Sequence, residues 1–281
     1  MKSHTEMLFA GTAALAALLL TSTTALAGNA RSWVASAGKD TNPCTLAEPC
    51  ATLGGALAKT DSGGEIDALD AGDYSGTTGV LNIVNQSVII DGRGVGSFTS
   101  FATASSSDGL GLCVYGGTVT IRNMTFLADA NAAQSIYIGS GVVNVDNVHI
   151  EGGQLGVGVG GGTINITDSL IHNPANVGIQ VAGDAPASTR VRLDNVRITG
   201  ALSAGVEAPV GTIMVNNCLL AGDANGLFSF GLAVIYVSNS TITGNSQYGF
   251  APFSGKIVSF GNNRLFDNQN EGTPTSVMAQ K

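Results

Sequence analysis

Apolar and polar positions repeat along this chain with a period of about 23 residues, beginning near Thr118. One polar residue in each repeat sets the register, and successive members of this column follow one another at close to that period. The column consists of Asn123, Asn147, Asp168, Asn195, Asn217, Asn239 and Asn262. Four residues before the column stand Val119, Val143, Ile164, Val191, Ile213, Ile235 and Val258. Two residues before it stand Ile121, Val145, Ile166, Leu193, Val215, Val237 and Phe260. Three residues after it stand Phe126, Ile150, Ile171, Ile198, Leu220, Ile242 and Leu265. A chain that is 44% hydrophobic does not make all 21 of these positions apolar by chance.

The offsets within each repeat predict three short β-strands. Apolar residues four and two positions before the column alternate with period two, which is typical of a strand with one buried face. This is the second strand of the repeat. The third strand begins three residues after the column, and the first strand precedes the second. The preceding strands are expected at Ser135–Ile138, Gly156–Val159, Gly178–Val181, Gly205–Ala208, Gly226–Ser229 and Gly249–Pro252. Such strands bury a face only when coil stacks on coil, so the sequence predicts an all-β, right-handed parallel β-helix of three sheets.

The asparagine column has a physical reason. A tight turn between the second and third strands needs a residue with positive φ, which asparagine tolerates, and stacked amides can then bond to each other. Asp168 interrupts the row, and we interpret it as a turn residue that accepts hydrogen bonds rather than as a catalytic acid.

Residues 1–27 have the pattern of a signal peptide. Lys2 supplies a basic start, Leu8 to Leu20 is an apolar run, and Ala25 to Ala27 fits a cleavage site. A membrane anchor is the alternative, but a spanning helix needs about 20 apolar residues. We expect removal of residues 1–27, which leaves a secreted or periplasmic chain without a membrane span.

Residues 28–74 are expected to form an N-terminal cap and the first coil, residues 75–268 the β-helix, and residues 269–281 a polar tail. A short amphipathic helix over Thr52–Thr60 is predicted to cover the exposed end of the β-helix, with Leu53, Ala56 and Leu57 on one side. How the other end is covered is not evident from the sequence.

Cys44 and Cys50 lie six residues apart beside prolines, which predicts a small disulfide loop in an exported protein. A metal site is the weaker alternative, because no histidine or second cysteine pair lies near them. Cys113 and Cys218 are expected to be free thiols.

Composition narrows the range of partners. The chain has 12 basic and 20 acidic residues and a net charge of −8, so it is expected to repel nucleic acid and anionic lipid. Only 11% of residues are charged, while 39 are glycine, which excludes a disordered chain or a coiled coil.

The opening of the chain resembles that of secreted bacterial right-handed parallel β-helix proteins of the pectate-lyase-like superfamily. The resemblance is carried by Trp33–Asp40, Asn42–Thr45, Pro49–Cys50, Ala56–Leu57, Gly63–Ile66 and Gly72–Tyr74, in that order. It implies the cap and the fold, and many such proteins are similar to polysaccharide lyases or hydrolases. It further implies that an active site, if present, faces outward on the first sheet.

The outward column of that sheet is expected to be Cys113, Tyr137, Gly158, Gln180, Glu207, Phe228 and Ala251. It holds a single carboxylate, whereas a lyase or hydrolase needs converging calcium ligands or paired acids. Aromatic rings and amides suit sugar faces and hydroxyls, so Tyr137, Gln180, Glu207 and Phe228 are the predicted polysaccharide-binding strip. No catalytic residue, cofactor or metal ligand is assigned.

Two weaker groups of charged residues remain. On the second sheet, Arg122 beside Asp146, and Arg190, Arg192, Asp194 and Arg197 near Thr167, are interpreted as a surface ion-pair patch or else as a binding strip. Near the cap, Asp61, Glu65, Asp67, Asp70 and Asp73 are interpreted as solvated acids, with calcium as the alternative.

Three functions are carried forward. The leading hypothesis is an exported β-helix that binds extracellular or envelope polysaccharide. The second is a lyase or hydrolase in which Glu207 acts with Asp184 or Asp223, and the third is a structural or adhesive rod without a site.

Overall fold

A computed structural model describes residues 28–100, 109–129 and 131–279. The first part of the chain contains β1 (Asn29–Val34), α1 (Leu53–Leu57), β2 (Thr60–Ala68), β3 (Gly72–Asp73), β4 (Leu81–Val84), β5 (Val88–Asp91), β6 (Gly96–Ser100), β7 (Leu110–Arg122), β8 (Thr125–Ala128), β9 (Gln134–Asp146), β10 (His149–Gly152), β11 (Leu155–Val159) and β12 (Thr163–Thr167). The second part contains β13 (Leu170–His172), β14 (Val177–Val181), β15 (Arg190–Asp194), β16 (Arg197–Thr199), β17 (Ala204–Ala208), β18 (Thr212–Asn216), β19 (Leu219–Ala221), β20 (Asn225–Ser229), β21 (Val234–Ser238), β22 (Thr241–Thr243), β23 (Tyr248–Pro252), β24 (Lys256–Ser259), β25 (Arg264–Phe266) and β26 (Ser276–Val277).

These strands wind into a parallel β-helix with eight complete coils in the described residues, from β4 to β25. The first sheet stacks β4, β11, β14, β17, β20 and β23 with the opening halves of β7 and β9. The second sheet stacks β1, β2, β5, β12, β15, β18, β21, β24 and β26 with the closing halves of β7 and β9. The third sheet runs from β3 to β25. The predicted fold class is confirmed.

The interior is filled by the predicted apolar positions. Eighteen of the 21 belong to one buried core, and Leu265 packs against it. β-Branched side chains dominate because they fill the narrow space between three stacked sheets without losing much rotamer freedom.

The last coil departs from the predicted register by one residue. Ile257 pairs with Ile235 and takes the inward position, while Val258 pairs with the outward Tyr236. The prediction that Val258 and Phe260 point inward is therefore wrong. Gly261, with φ +78°, supplies the left-handed turn that Asn262 was expected to make. The apolar pair Ile257 and Val258 made either register plausible from sequence.

The other six members of the column have φ between 49° and 55°, as the turn chemistry requires. Amide bonds link some neighbours directly, since Asn147 Nδ2 donates to Asn123 Oδ1 at 2.9 Å. Elsewhere the partner changes, since Asn239 Nδ2 donates to Asn216 Oδ1. The expected ladder therefore exists but is not continuous. Asp168 Oδ1 accepts from Asn195 Nδ2 at 2.6 Å, as a turn residue would.

At the N-terminal end, α1 is shorter than the predicted helix. Thr52 caps it by accepting a hydrogen bond from the Gly55 N–H, and Thr60 already begins β2. The predicted apolar side of the helix joins the core. The structure pairs Cys44 with Cys50 in a disulfide, while Cys113 and Cys218 are free and buried.

The predicted signal peptide, residues 1–27, lies outside the described residues. Within them, no helix combines the length and the apolar character that a membrane crossing requires. The predicted tail is in part a strand, because β26 pairs with β24 at the end of the second sheet.

Glycine recurs at one corner of the coil, at the second residue of the first-sheet strands. Its members are Gly156, Gly178, Gly205, Gly226 and Gly249. A β-carbon at position 156 would fall 2.6 Å from Ile171 and 2.7 Å from the carbonyl oxygen of Gly178. The missing side chain therefore lets the third-sheet isoleucine and the next coil approach closely.

We expect Gly178→Ala to destabilise the fold by about 1–3 kcal/mol, because the added methyl meets Ile198 and lies 2.6 Å from the Gly205 carbonyl oxygen. Urea denaturation should show a lower midpoint with an unchanged slope. Gly183→Ala is the matched control, since a β-carbon there meets nothing within 4 Å. Equal midpoints for the two variants would contradict the packing role of this corner.

Candidate functional site

The outer face of the first sheet carries the predicted column in the predicted register. Tyr137 pairs with Gly158, Gly158 with Gln180, and Gln180 with Glu207. Phe228 follows Glu207 in the next coil. The two ends of the column do not face solvent, because Cys113 is fully buried and Ala251 is 3% exposed.

Gln180 and Glu207 form a side-chain pair on this face. Gln180 Nε2 donates a hydrogen bond of 2.9 Å to Glu207 Oε1, and both side chains are half-buried. The bond fixes the orientation of both groups. The second carboxylate oxygen of Glu207 and the amide oxygen of Gln180 are acceptors, which suits donors such as sugar hydroxyls.

An aromatic cluster adjoins this pair toward the C-terminal end. The ring centroid of Phe228 lies 5.3 Å from that of Phe230 and 5.2 Å from that of Phe253. Tyr248 meets Phe253 edge to face at 6.3 Å. Phe253 is 67% exposed, so its ring offers a free apolar face to solvent. These four residues are called the aromatic cluster below.

An open groove of about 780 Å³ begins at this cluster. Tyr248 and residues 250–253 line one side of it, and residues 268–273 line the other. That second segment supplies amides from Asn268 and Asn270, together with the Glu271 carboxylate. An apolar face beside convergent polar groups is the usual composition of a small-ligand site.

Tyr137 does not join this arrangement. It lies two coils from Gln180, which is about 10 Å. Its ring packs edge to face on Tyr115 at 5.8 Å, and the Gln134 side chain covers Gly158 in between. The structure thus brings Gln180, Glu207 and Phe228 together and sets Tyr137 apart from them.

The acids considered as partners of Glu207 occupy other places. Asp184 is exposed in the turn that follows β14. Asp223 is 1% exposed, and its Oδ1 accepts a 2.8 Å hydrogen bond from the Ala201 N–H. Its Oδ2 is buried without a hydrogen-bond partner, and burial raises the pKa of Asp223 to about 7. Asp223 therefore belongs to the interior of a turn rather than to the outer face.

The acidic residues near the cap are not uniformly solvated. Glu65, Asp67 and Asp91 place carboxylate oxygens within 4.8 Å of one another on the second sheet. Asp67 is fully buried, so the expectation of a solvated acid is wrong there. Burial raises the pKa of Asp67, against the opposing hydrogen bond from Arg31.

This cluster does not fit a calcium ion in its present bonding. Arg122 donates to Glu65 at 2.7 Å and to Asp91 at 2.8 Å, and Arg31 is bonded to Asp67. The two guanidinium groups bond one oxygen of each carboxylate and neutralise the negative charge that would attract a cation. Asp67 Oδ1 is buried without a hydrogen-bond partner. Arg122 lies beside Asp146 in the register, as predicted, but its ion pairs are with Glu65 and Asp91.

Two features of the site escaped sequence analysis. The first is the part of the aromatic cluster formed by Phe230, Phe253 and Tyr248, which lie in turns and at a strand start outside the repeat. The second is Asn268 in the groove lining, which stands six positions after the asparagine column, as Asp223 and Asn245 do in the two preceding coils. Their spacing equals the coil period, and this is a signal that could have revealed them.

Comparisons with known proteins agree with this architecture. Residues 108–265 match a family model described as the right handed beta helix region. The structure superposes on the crystal structure of pectate lyase Pel9A with a TM-score of 0.69, over 89% of this chain and 78% of that one. The two sequences are 13% identical, so the likeness concerns the fold. No curated protein matches the sequence.

Proposed function

The chain belongs to the right-handed β-helix family, and from that premise we propose that it is an exported protein that binds polysaccharide on its first sheet. Export to the periplasm or the cell exterior is supported by the signal-peptide pattern of residues 1–27. The binding surface comprises Gln180, Glu207, the aromatic cluster and the groove beside it.

The observation that carries the proposal is the direct continuity of these parts. Phe228 follows Glu207 in register and contacts Phe253, which in turn lines the groove. A polymer can therefore stack sugar rings on exposed aromatic faces while its hydroxyls reach amide and carboxylate oxygens. Successive coils lie about 4.8 Å apart, so a sugar unit spans roughly one coil.

Binding without cleavage accounts for the placement of the acids. A lyase or hydrolase needs a second ionisable group beside its first one. Glu207 is instead bonded to the Gln180 amide, and Asp223 is held inside a turn. A purely structural rod would not need an exposed ring such as Phe253 beside an open groove.

Phe253→Ala should weaken polysaccharide affinity about tenfold, since it removes an exposed stacking face and about 1.4 kcal/mol of binding free energy. Affinity electrophoresis against a panel of soluble polysaccharides is the measurement. Phe266→Ala is the matched control, because Phe266 is 49% exposed on the third sheet. If both variants weaken the binding of the wild type equally, the site does not lie on the first sheet. If the wild type binds no polysaccharide of the panel, the proposal is also contradicted.

Glu207→Gln tests the absence of catalysis. We expect it to weaken binding only about two- to fivefold, because one charge-assisted hydrogen bond becomes a neutral one. Incubation with the same panel should show no release of reducing or unsaturated ends by the wild type. If the wild type releases such ends and Glu207→Gln does not, the protein is instead a lyase or hydrolase.

A further inference from the structure

We infer that the ligand of this surface is an uncharged polysaccharide rather than a polyuronate. The inference rests on the proposed function and names its substrate class. Two observations support it: the charged groups on the binding surface are negative, and they accept hydrogen bonds.

The side chains on this surface that carry charge at neutral pH are both acids. Glu207 is the charged member of the outward column, and Glu271 is the charged member of the groove lining. Among the described residues, no lysine, arginine or histidine belongs to either set. A uronate carboxylate placed here would find hydrogen-bond donors but no cation.

Two arginines that bind carboxylates in this structure lie away from the binding surface. Arg31 and Arg122 lie on the second sheet and hold Asp67, Asp91 and Glu65. The whole chain carries a net charge of −8, so the long-range field also opposes a polyanion. A sugar carboxylate near Glu207 would therefore be repelled both by its closest charged neighbour and by the protein as a whole.

Both acids are arranged to accept hydrogen bonds. Glu207 already accepts from Gln180, and Glu271 Oε2 accepts from Asn268 Nδ2 at 2.5 Å. Their remaining lone pairs call for O–H donors, which neutral sugars supply at several positions of each ring. The apolar C–H face of the same ring packs on Phe253 without loss of hydration by any charge.

Two matched pairs of polymers test the inference. Each pair has the same ring stereochemistry and differs in charge: fully methyl-esterified polygalacturonan against polygalacturonate, and mannan against polymannuronate. Where a pair binds, we expect the uncharged polymer to bind at least tenfold more tightly than its polyuronate at low ionic strength. Raising the salt concentration to about 1 M should narrow the gap, because screening weakens only the repulsion of the polyuronate.

We expect Glu207→Gln to change the binding of the uncharged polymer and of the polyuronate in opposite directions. Binding of the uncharged polymer should weaken about two- to fivefold, as above, while binding of the polyuronate should strengthen by a similar factor. Tighter binding of the polyuronate by the wild type would overturn the inference and leave the proposed function intact. Binding to neither pair, nor to any member of the wider panel, would overturn both.

Discussion

Val145→Asp leaves no soluble, cooperatively melting protein. Val145 is 1% exposed and belongs to the main core, so the substituted carboxylate would be buried without a partner. Such a group costs about 5 kcal/mol or more, which is comparable with the whole stability of many domains. The measurement is the yield of soluble protein after refolding, followed by thermal melting monitored by circular dichroism.

Val142→Asp is the matched control for this prediction. Val142 lies three residues earlier in the same strand, β9, and is 40% exposed. The same substitution there should cost no more than about 1 kcal/mol, because the carboxylate stays in water. Cooperative melting of Val145→Asp at a temperature close to that of Val142→Asp would show that the register of the second sheet is wrong.

Asp223→Asn should stabilise the protein above pH 7 by about 4 kcal/mol. Burial raises the pKa of Asp223 from 3.8 to about 7, so the folded state holds a proton that the unfolded state releases. The wild type therefore keeps its full stability below about pH 4 and loses it as the pH rises toward 7. Asparagine has no proton to lose, so the stability difference between the two proteins should grow across this window and level off above it.

The next coil shows how an asparagine can be hydrogen-bonded at this position. In the next coil, Asn245 donates from both its backbone N–H and its Nδ2 to Asn268 Oδ1. The Asp223 N–H already donates to Asn245 Oδ1, and an amide side chain at this position could add the second bond.

Urea denaturation at pH 5 and pH 8 measures the effect of Asp223→Asn. Asp184→Asn is the control, because it makes the same change of side chain at an exposed position. If Asp223→Asn gains nothing at pH 8 relative to pH 5, the carboxylate is ionised in the folded protein at little cost.

The repeat allowed most of the fold to be predicted because backbone geometry determines it. The interior accepts only apolar residues at offsets set by the strand period, and the turn accepts only residues that tolerate positive φ. Prediction failed where two registers satisfied the same rule, as at Ile257 and Val258. The one-residue shift there moved Phe260 out of the predicted core.

The site was less predictable than the fold. The candidate residues Gln180, Glu207 and Phe228 stand in one strand column that the repeat defines, while the choice of the first sheet came from the family resemblance. Phe253 could not, because it follows a strand in a turn whose path no periodicity specifies. The arginine pairs of the second sheet were also missed, because the repeat that sets the register begins near Thr118. It assigns no position to the earlier coils, which hold Asp91, the register partner of Arg122, and Asp67, which Arg31 bonds.

β7 and β9 have a consequence for how the molecule yields under stress. Each runs for 13 residues through both the first and second sheets, and ten register pairs join them. Later coils interrupt this path with a turn. Opening the rod between these two strands would break the longest ladder in the described residues, so amides in this segment should exchange with solvent last. Pulled from its ends, the chain should unravel coil by coil toward this segment and pause there.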